Sequence, residues 1–130
     1  MSFKKEYFSK VVYYAFGGIG SGGSAADPKP IVDGDVMAIE AGMVITSVDV
    51  AVSTAITGST AIDIGDDDDQ NGFVAAATLT AGALSSSNGA YLSANSLHKY
   101  YPVAGKEVKL DNTTANTAGA FAVCIEGYKV

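Results

Sequence analysis

The acidic run at residues 66–69 is the strongest candidate for a chemical site in this sequence. Asp67-x-Asp69-x-Asn71-Gly72 matches the opening of a calcium loop, with oxygen ligands at alternate positions and a glycine for the turn. Thr78 stands where such a loop has its bidentate glutamate, and no helix is predicted on either side. We expect residues 66–69 to form a solvent-exposed turn that is dispensable for folding, because clustered charges are costly in a core. A calcium site of another type stays open as an alternative.

His98 and Cys124 are the only candidates for a catalytic base and a thiol nucleophile. A Cys–His enzyme needs an orienting group and a polar, partly exposed thiol. Cys124 lies between Val123 and Ile125, which is typical of a small apolar residue inside a strand. We therefore predict that the protein is not an enzyme and needs no cofactor, and a small hydrolase is the weakest interpretation.

The glycine-rich stretch at residues 18–23, GIGSGG, matches the G-x-G-x-x-G spacing of dinucleotide-binding loops. Such a loop must open a helix whose N-terminus binds the pyrophosphate. The following residues, SAADPKP, contain two prolines and cannot supply that helix. The stretch is better explained as part of a flexible connector over residues 17–30.

A strict two-residue alternation of apolar and polar residues over residues 43–64 predicts β-strands, the elements that must position the candidate residues above. One apolar face and one polar face predict antiparallel strands that cover a core, here as a β-meander closed by the acidic turn. The same alternation returns at residues 107–111 and 121–126. The predicted core consists of Val48, Val50, Val52, Ile62, Ile64, Val108, Leu110, Phe121, Val123 and Ile125.

Length and composition favour one all-β domain. The 130 residues are enough to bury one core, and their 15 glycines indicate many turns. Eight short strands predict an antiparallel β-sandwich or jelly roll with less than about a tenth of the chain helical. The predicted strands of this body are residues 35–40, 43–53, 59–64, 73–77, 90–94, 97–103, 106–110 and 119–128.

The N-terminal residues are aromatic-rich and precede the glycine-rich connector. We divide the chain into an extended N-terminal arm with its linker, residues 1–30, and a sandwich body, residues 31–130. Residues 11–16 favour a strand, and addition of this strand to a partner would satisfy its backbone. The body is expected to fold without residues 1–16. The aromatic residues expected to anchor the arm on a partner are Phe3, Tyr7, Phe8, Tyr13, Tyr14 and Phe16.

The charge distribution excludes several classes of partner. The net charge is −6, and all eight basic residues are lysines. Nucleic-acid binding needs a positive patch and usually arginine, so no nucleic-acid partner is expected. No apolar run reaches membrane-spanning length, and the N-terminus lacks the apolar centre of a signal peptide. We expect no membrane partner and synthesis in a cytoplasm.

Three stretches form a pattern of two strands and an acidic turn: Asp49-Val50-Ala51-Val52, residues 60–66 (TAIDIGD) and Gly72-Phe73. This pattern resembles that of capsid decoration (cement) proteins of tailed bacteriophages. Residues 105–108 (GKEV) and the closing strand at residues 119–130 are also similar, so the resemblance covers roughly residues 35–130. The N-terminal residues have no counterpart in it.

The resemblance implies a jelly-roll or sandwich protein that binds the exterior of a phage capsid and cements neighbouring subunits. The implied partners are the major capsid protein and further copies of the chain. We favour a homotrimer, since closed symmetric rings are common, with a dimer as the alternative. The alternative function is a calcium-dependent adhesive or carbohydrate-binding β-sandwich of a phage tail or fibre.

Overall fold

The computed structural model describes residues 5–18, 22–58, 62–86, 88–89, 91, 98–112 and 117–130. These residues form eight β-strands and, within the described ranges, no helix. The strands are β1 (Glu6–Ala15), β2 (Gly34–Ala38), β3 (Met43–Thr57), β4 (Ile62–Gly65), β5 (Leu84–Ser86), β6 (Lys99–Tyr101), β7 (Glu107–Asn112) and β8 (Ala118–Lys129).

Two antiparallel sheets form a β-sandwich, which confirms the predicted fold class. The large sheet has the order β1-β8-β3-β5, and β6 also pairs with the start of β3. The small sheet has the order β2-β7-β4. The inner faces of both sheets bury their apolar side chains against one another in a single core.

The predicted meander is wrong in its pairing, although its strands exist. β3 pairs with β8, β5 and β6 in the large sheet, whereas β4 pairs with β7 in the small sheet. The chain thus crosses from one layer to the other after β3. A period of two fixes which face of a strand is apolar, but it does not choose the neighbour of that strand.

All ten residues predicted to form the core are buried, and seven of them have no exposed surface: Val48, Val50, Ile62, Ile64, Val108, Val123 and Ile125. They alternate along β3, β4, β7 and β8 and pack into one cluster. Phe73 and Val74 also enter this core from an irregular segment, where Val74 forms an isolated bridge with Ile64 instead of the predicted strand at residues 73–77. The predicted strand at residues 90–94 lies, apart from Tyr91, outside the described residues.

Strand β1 belongs to the large sheet over its whole length. It pairs with β8 from Glu6↔Lys129 to Ala15↔Ala120 without a break in register. Val12 and Tyr14 are buried at 2% and 3% exposure. The structure therefore places residues 6–15 in the sandwich, which differs from the expected arm that leaves the body.

Candidate functional site

The first residue of the acidic loop is buried, so the prediction that residues 66–69 are all exposed is wrong for Asp66. Its side chain is only 3% exposed. Oδ2 accepts a hydrogen bond from the Tyr101 hydroxyl at 2.6 Å, and Oδ1 accepts one from the Tyr91 hydroxyl at 3.0 Å. The backbone N–H groups of Asp68 and Asp69 also donate to Oδ1, at 2.9 and 3.0 Å. A buried carboxylate is tolerated here because four donors surround it.

These donors decide the charge state of Asp66. Burial by itself raises its pKa, but the hydrogen bonds from Tyr101, the Asp68 N–H, Tyr91 and the Asp69 N–H together lower the pKa below its usual value. Burial and the same carboxylate raise the pKa of both tyrosines, which stay protonated donors. The Lys99 ammonium lies 4.2 Å from the Tyr91 ring centre and 5.5 Å from that of Tyr101, where it completes the network.

The next two carboxylates fasten the loop to the beginning of β7. Asp67 Oδ1 accepts a hydrogen bond from the Glu107 N–H at 3.0 Å. Asp68 forms an ion pair with Lys106 at the surface. The loop that follows β4 is thus tied to the neighbouring strand of the small sheet, and its charges serve a structural turn.

Two of the residues that matched a calcium loop, Asp67 and Asp69, each accept a hydrogen bond from the backbone of the same chain. Besides the Asp67 contact, Asp69 Oδ1 accepts a hydrogen bond from the Asn71 N–H at 3.3 Å. Among the described residues, no three His, Cys, Asp or Glu side chains are grouped so that they could hold a metal ion. The pattern is explained by hydrogen bonds of the turn itself.

The lowered pKa of Asp66 predicts a specific loss of stability in acid. A group whose pKa is lower in the folded state stabilises the fold above its unfolded pKa, about 4 for aspartate, and this stabilisation disappears as the pH falls through the folded value. Urea unfolding between about pH 6 and pH 2, followed by circular dichroism, should show a steeper loss for the parent protein than for Asp66→Asn. Asp68→Asn, at an exposed position, is the control and should follow the parent. Parallel curves for all three proteins would contradict the role of Asp66.

His98 and Cys124 are not brought together. β8, which carries Cys124, and β6, which follows His98, pair with opposite edges of the first residues of β3. Burial, Asp49 and Glu126 raise the pKa of the Cys124 thiol, which disfavours the nucleophilic thiolate. The described residues thus contain no Cys–His pair that could catalyse acyl transfer.

The glycine-rich stretch contacts β1 and opens no helix within the described residues. Residues 19–21 of the motif lie outside the described part of the chain. Gly23 has φ +71° and lies so close to the Val12 side chain that a Cβ would approach Val12 Cγ1 to 2.7 Å. Glycine is needed here for close contact with a strand and a left-handed backbone, which requires no phosphate.

The six aromatic residues predicted as anchors have different environments. Tyr7, Tyr13 and Phe16 are exposed, and Phe8 is half-buried against the core. Phe3 lies outside the described residues. Tyr14 is a core residue whose ring stacks on Phe121 at 5.0 Å between centres, so it is not available as an anchor. Its burial and Asp35 raise the pKa of Tyr14 to about 12.

An apolar groove crosses the outer face of the large sheet. Four residues opposite one another on adjacent strands form a row there, Tyr13↔Ala122↔Ala51↔Leu84. Small side chains form its floor, while Leu84 is 65% exposed at one rim. We call this surface the outer trough; it has a volume of about 390 Å³ along Val11, Tyr13, Ala51, Val52, Ser53, Phe121, Ala122 and Cys124.

The outer trough escaped sequence analysis because its lining comes from three strands, and its Leu84 rim from a fourth, whose register is set by tertiary pairing. Ala51 and Ala122 are ordinary outward positions when each strand is considered alone. The only signal was Leu84, a leucine directly before the polar run at residues 85–88, SSSN. Within the part of the chain that the structure describes, no helix is long and apolar enough to cross a bilayer.

The sandwich is similar to chains in two solved phage capsids. No protein-family model and no curated protein matches the sequence. A chain of the cyanophage Pam1 capsid asymmetric unit superposes with a TM-score of 0.61 and 14% identity, over 100% of this chain and 89% of that one. A chain of the acidic stable capsid of Helicobacter pylori bacteriophage KHP30 has a TM-score of 0.59 and 12% identity, over 96% and 93% of the two chains. The fold of this protein is therefore one that also occurs in bacteriophage capsids.

Proposed function

We propose that this protein is a structural component of a phage virion that binds the outer surface of the capsid and cements neighbouring subunits. The observation that carries the proposal is the similarity of its fold, over nearly the whole length, to chains of two phage capsids. The resemblance of residues 35–130 to decoration proteins supports the same assignment. Its partner would be the major capsid protein, and its place of synthesis the cytoplasm of the bacterial host.

The charge of the chain supports an exterior position. A protein that lines a DNA-filled shell benefits from basic side chains that neutralise phosphates. This chain has a net charge of −6 and no arginine. The acidic balance disfavours contact with packaged DNA and suits a surface that faces solvent.

The outer trough is the surface that we assign to the capsid. Exposed contiguous apolar area is the feature that marks protein interfaces, and the two rims of the trough present Tyr13 and Leu84 to solvent. A small-residue floor between larger rim residues accepts an inserted apolar side chain of the shell. Each contact would be small, and attachment at many sites would make the total stabilisation of the particle large.

A pair of substitutions on one strand tests this assignment. Leu84→Glu places a charge on the rim of the trough, whereas Ser86→Glu places the same charge two residues further along the same face of β5. Leu84→Glu should lower affinity for capsids that lack the protein by about tenfold or more, while Ser86→Glu should have a smaller effect. Co-sedimentation with purified heads measures binding, and circular dichroism verifies folding.

Two results would overturn the proposal. Failure of the parent protein to bind heads assembled from the major capsid protein of the same genome would exclude the cementing role. Equal binding by both variants and the parent would move the capsid contact away from the outer trough. A chelator added to the same assay should leave binding unchanged, because the proposed contact uses the apolar outer trough and not the acidic loop.

A further inference from the structure

Strand β1 forms one edge of the large sheet, and only part of this edge is covered. Tyr13 marks the covered part: its N–H donates to the Gly23 carbonyl at 2.7 Å, and its carbonyl accepts from the Lys29 N–H at 2.9 Å. The Ala15 N–H also donates to the Lys29 carbonyl, at 3.0 Å. Residues 23–29 thus close the edge from Tyr13 onwards.

The other half of the edge is open. Because a strand repeats every two residues and the register with β8 is unbroken, the backbone groups of Tyr7, Ser9 and Val11 point to the same side as those of Tyr13. These groups have no backbone partner on that side among the described residues. An open edge of this length is a template for pairing with another strand.

We infer that this edge pairs with the same edge of a second copy, antiparallel and around a twofold axis at Phe8. Residues whose backbone N–H and C=O groups point away from β8 must lie opposite such residues of the second copy. This condition restricts the register to steps of two residues. The open edge extends over residues 5–11, because Tyr13 is already covered, and Phe8 is its centre. A twofold axis at Phe8 uses this open edge completely.

The side chains agree with this register. Glu6 lies opposite Lys10 of the second copy, and the symmetry repeats this ion pair on the other side of the axis. The two Phe8 side chains face each other in a non-hydrogen-bonded pair, where the Cα atoms approach to about 4.5 Å. Phe8 is half-buried in the monomer, so this contact would cover its remaining surface.

The charges favour a second copy over an unrelated strand. Lysines on an edge strand usually discourage pairing, and both Lys5 and Lys10 are exposed here. In the twofold register, the carboxylate of Glu6 in each copy neutralises the charge of Lys10 in the other copy. Since identical edges pair through the same surface, the product is a closed dimer and not the trimer expected from general symmetry. This inference does not depend on capsid binding and is tested without heads.

Reversal of the charge of Glu6 or Lys10 tests the proposed dimer, and a mixture of the two variants should restore it. Analytical ultracentrifugation of the full chain should give a dimer, twice the 13.2 kDa mass. Glu6→Lys and Lys10→Glu should each raise the dimer dissociation constant by about tenfold or more, because both symmetric pairs become repulsive. An equimolar mixture of the two variants should dimerise again, since an edge that carries two lysines at these positions then faces an edge that carries two glutamates. Glu126→Lys, on the outer face of β8, is the control and should remain dimeric.

Several outcomes would overturn the inference. A parent protein that is monomeric at its highest soluble concentration, or trimeric, excludes the twofold edge contact. A dimer that persists unchanged in both single variants places the interface elsewhere. Failure of the mixture to restore the dimer excludes the register at Phe8. Ser9→Pro removes an outward N–H at the open edge and should also yield a folded monomer.

Discussion

Tyr14→Ala is expected to destabilise the protein by about 3–5 kcal/mol, because it removes a buried aromatic ring from the packed core. The ring is 3% exposed and stacks on Phe121. Neighbouring side chains on two strands cannot collapse fully into the space that it leaves. The expected fall in melting temperature is roughly 10–20 °C for a domain of this size, measured by circular dichroism.

Tyr13→Ala is the matched control for this result. Tyr13 precedes Tyr14 in the same strand but lies on the outer face, with 39% of its surface exposed. Its removal should cost less than about 1 kcal/mol. Equal effects of the two substitutions would mean that β1 is not packed as described.

The burial of Tyr14 also changes the expectation for the chain without residues 1–16, which should lose most of its stability instead of retaining a folded body.

Asp66→Ala is expected to cost about 3 kcal/mol at neutral pH, because four donors lose their acceptor while two tyrosine hydroxyls remain buried or half-buried. Asp66→Asn should cost less, since one oxygen remains for the backbone donors and the amide can donate to Tyr101. Tyr101→Phe should cost about 1 kcal/mol, as it removes one hydrogen bond of the network. Urea unfolding at pH 7 measures all three.

Asp68→Ala provides the control in the same acidic run. Its side chain is half-exposed and pairs with Lys106 at the surface, so its loss should cost less than about 1 kcal/mol. A large effect of both substitutions would indicate that the whole loop supports the fold through charge. A negligible effect of Asp66→Ala would contradict the buried network.

Some features of the protein follow from the sequence alone. Every core residue predicted from the alternation in β3, β4, β7 and β8 is buried in the structure. A two-residue period shows locally which face of a strand is apolar and therefore buried. The two-residue alternation, the short predicted strands and the many glycines indicated the all-β class. The apolar surroundings of Cys124 and the aromatic surroundings of His98 argued against a Cys–His site, but their separation in space was seen only in the structure.

Tertiary pairing alone decided the features that matter most for function. The period of β3 and β4 did not reveal that they belong to different sheets, since each strand can pair with any apolar neighbour. The four adjacent aspartates are equivalent in the sequence. Asp66 became a buried acceptor because the tertiary fold places the hydroxyls of Tyr91 and Tyr101, from distant segments, next to its carboxylate. The outer trough and the open edge of β1 likewise exist only because β8 lies between β1 and β3, a contact between residues more than a hundred positions apart in the case of β1.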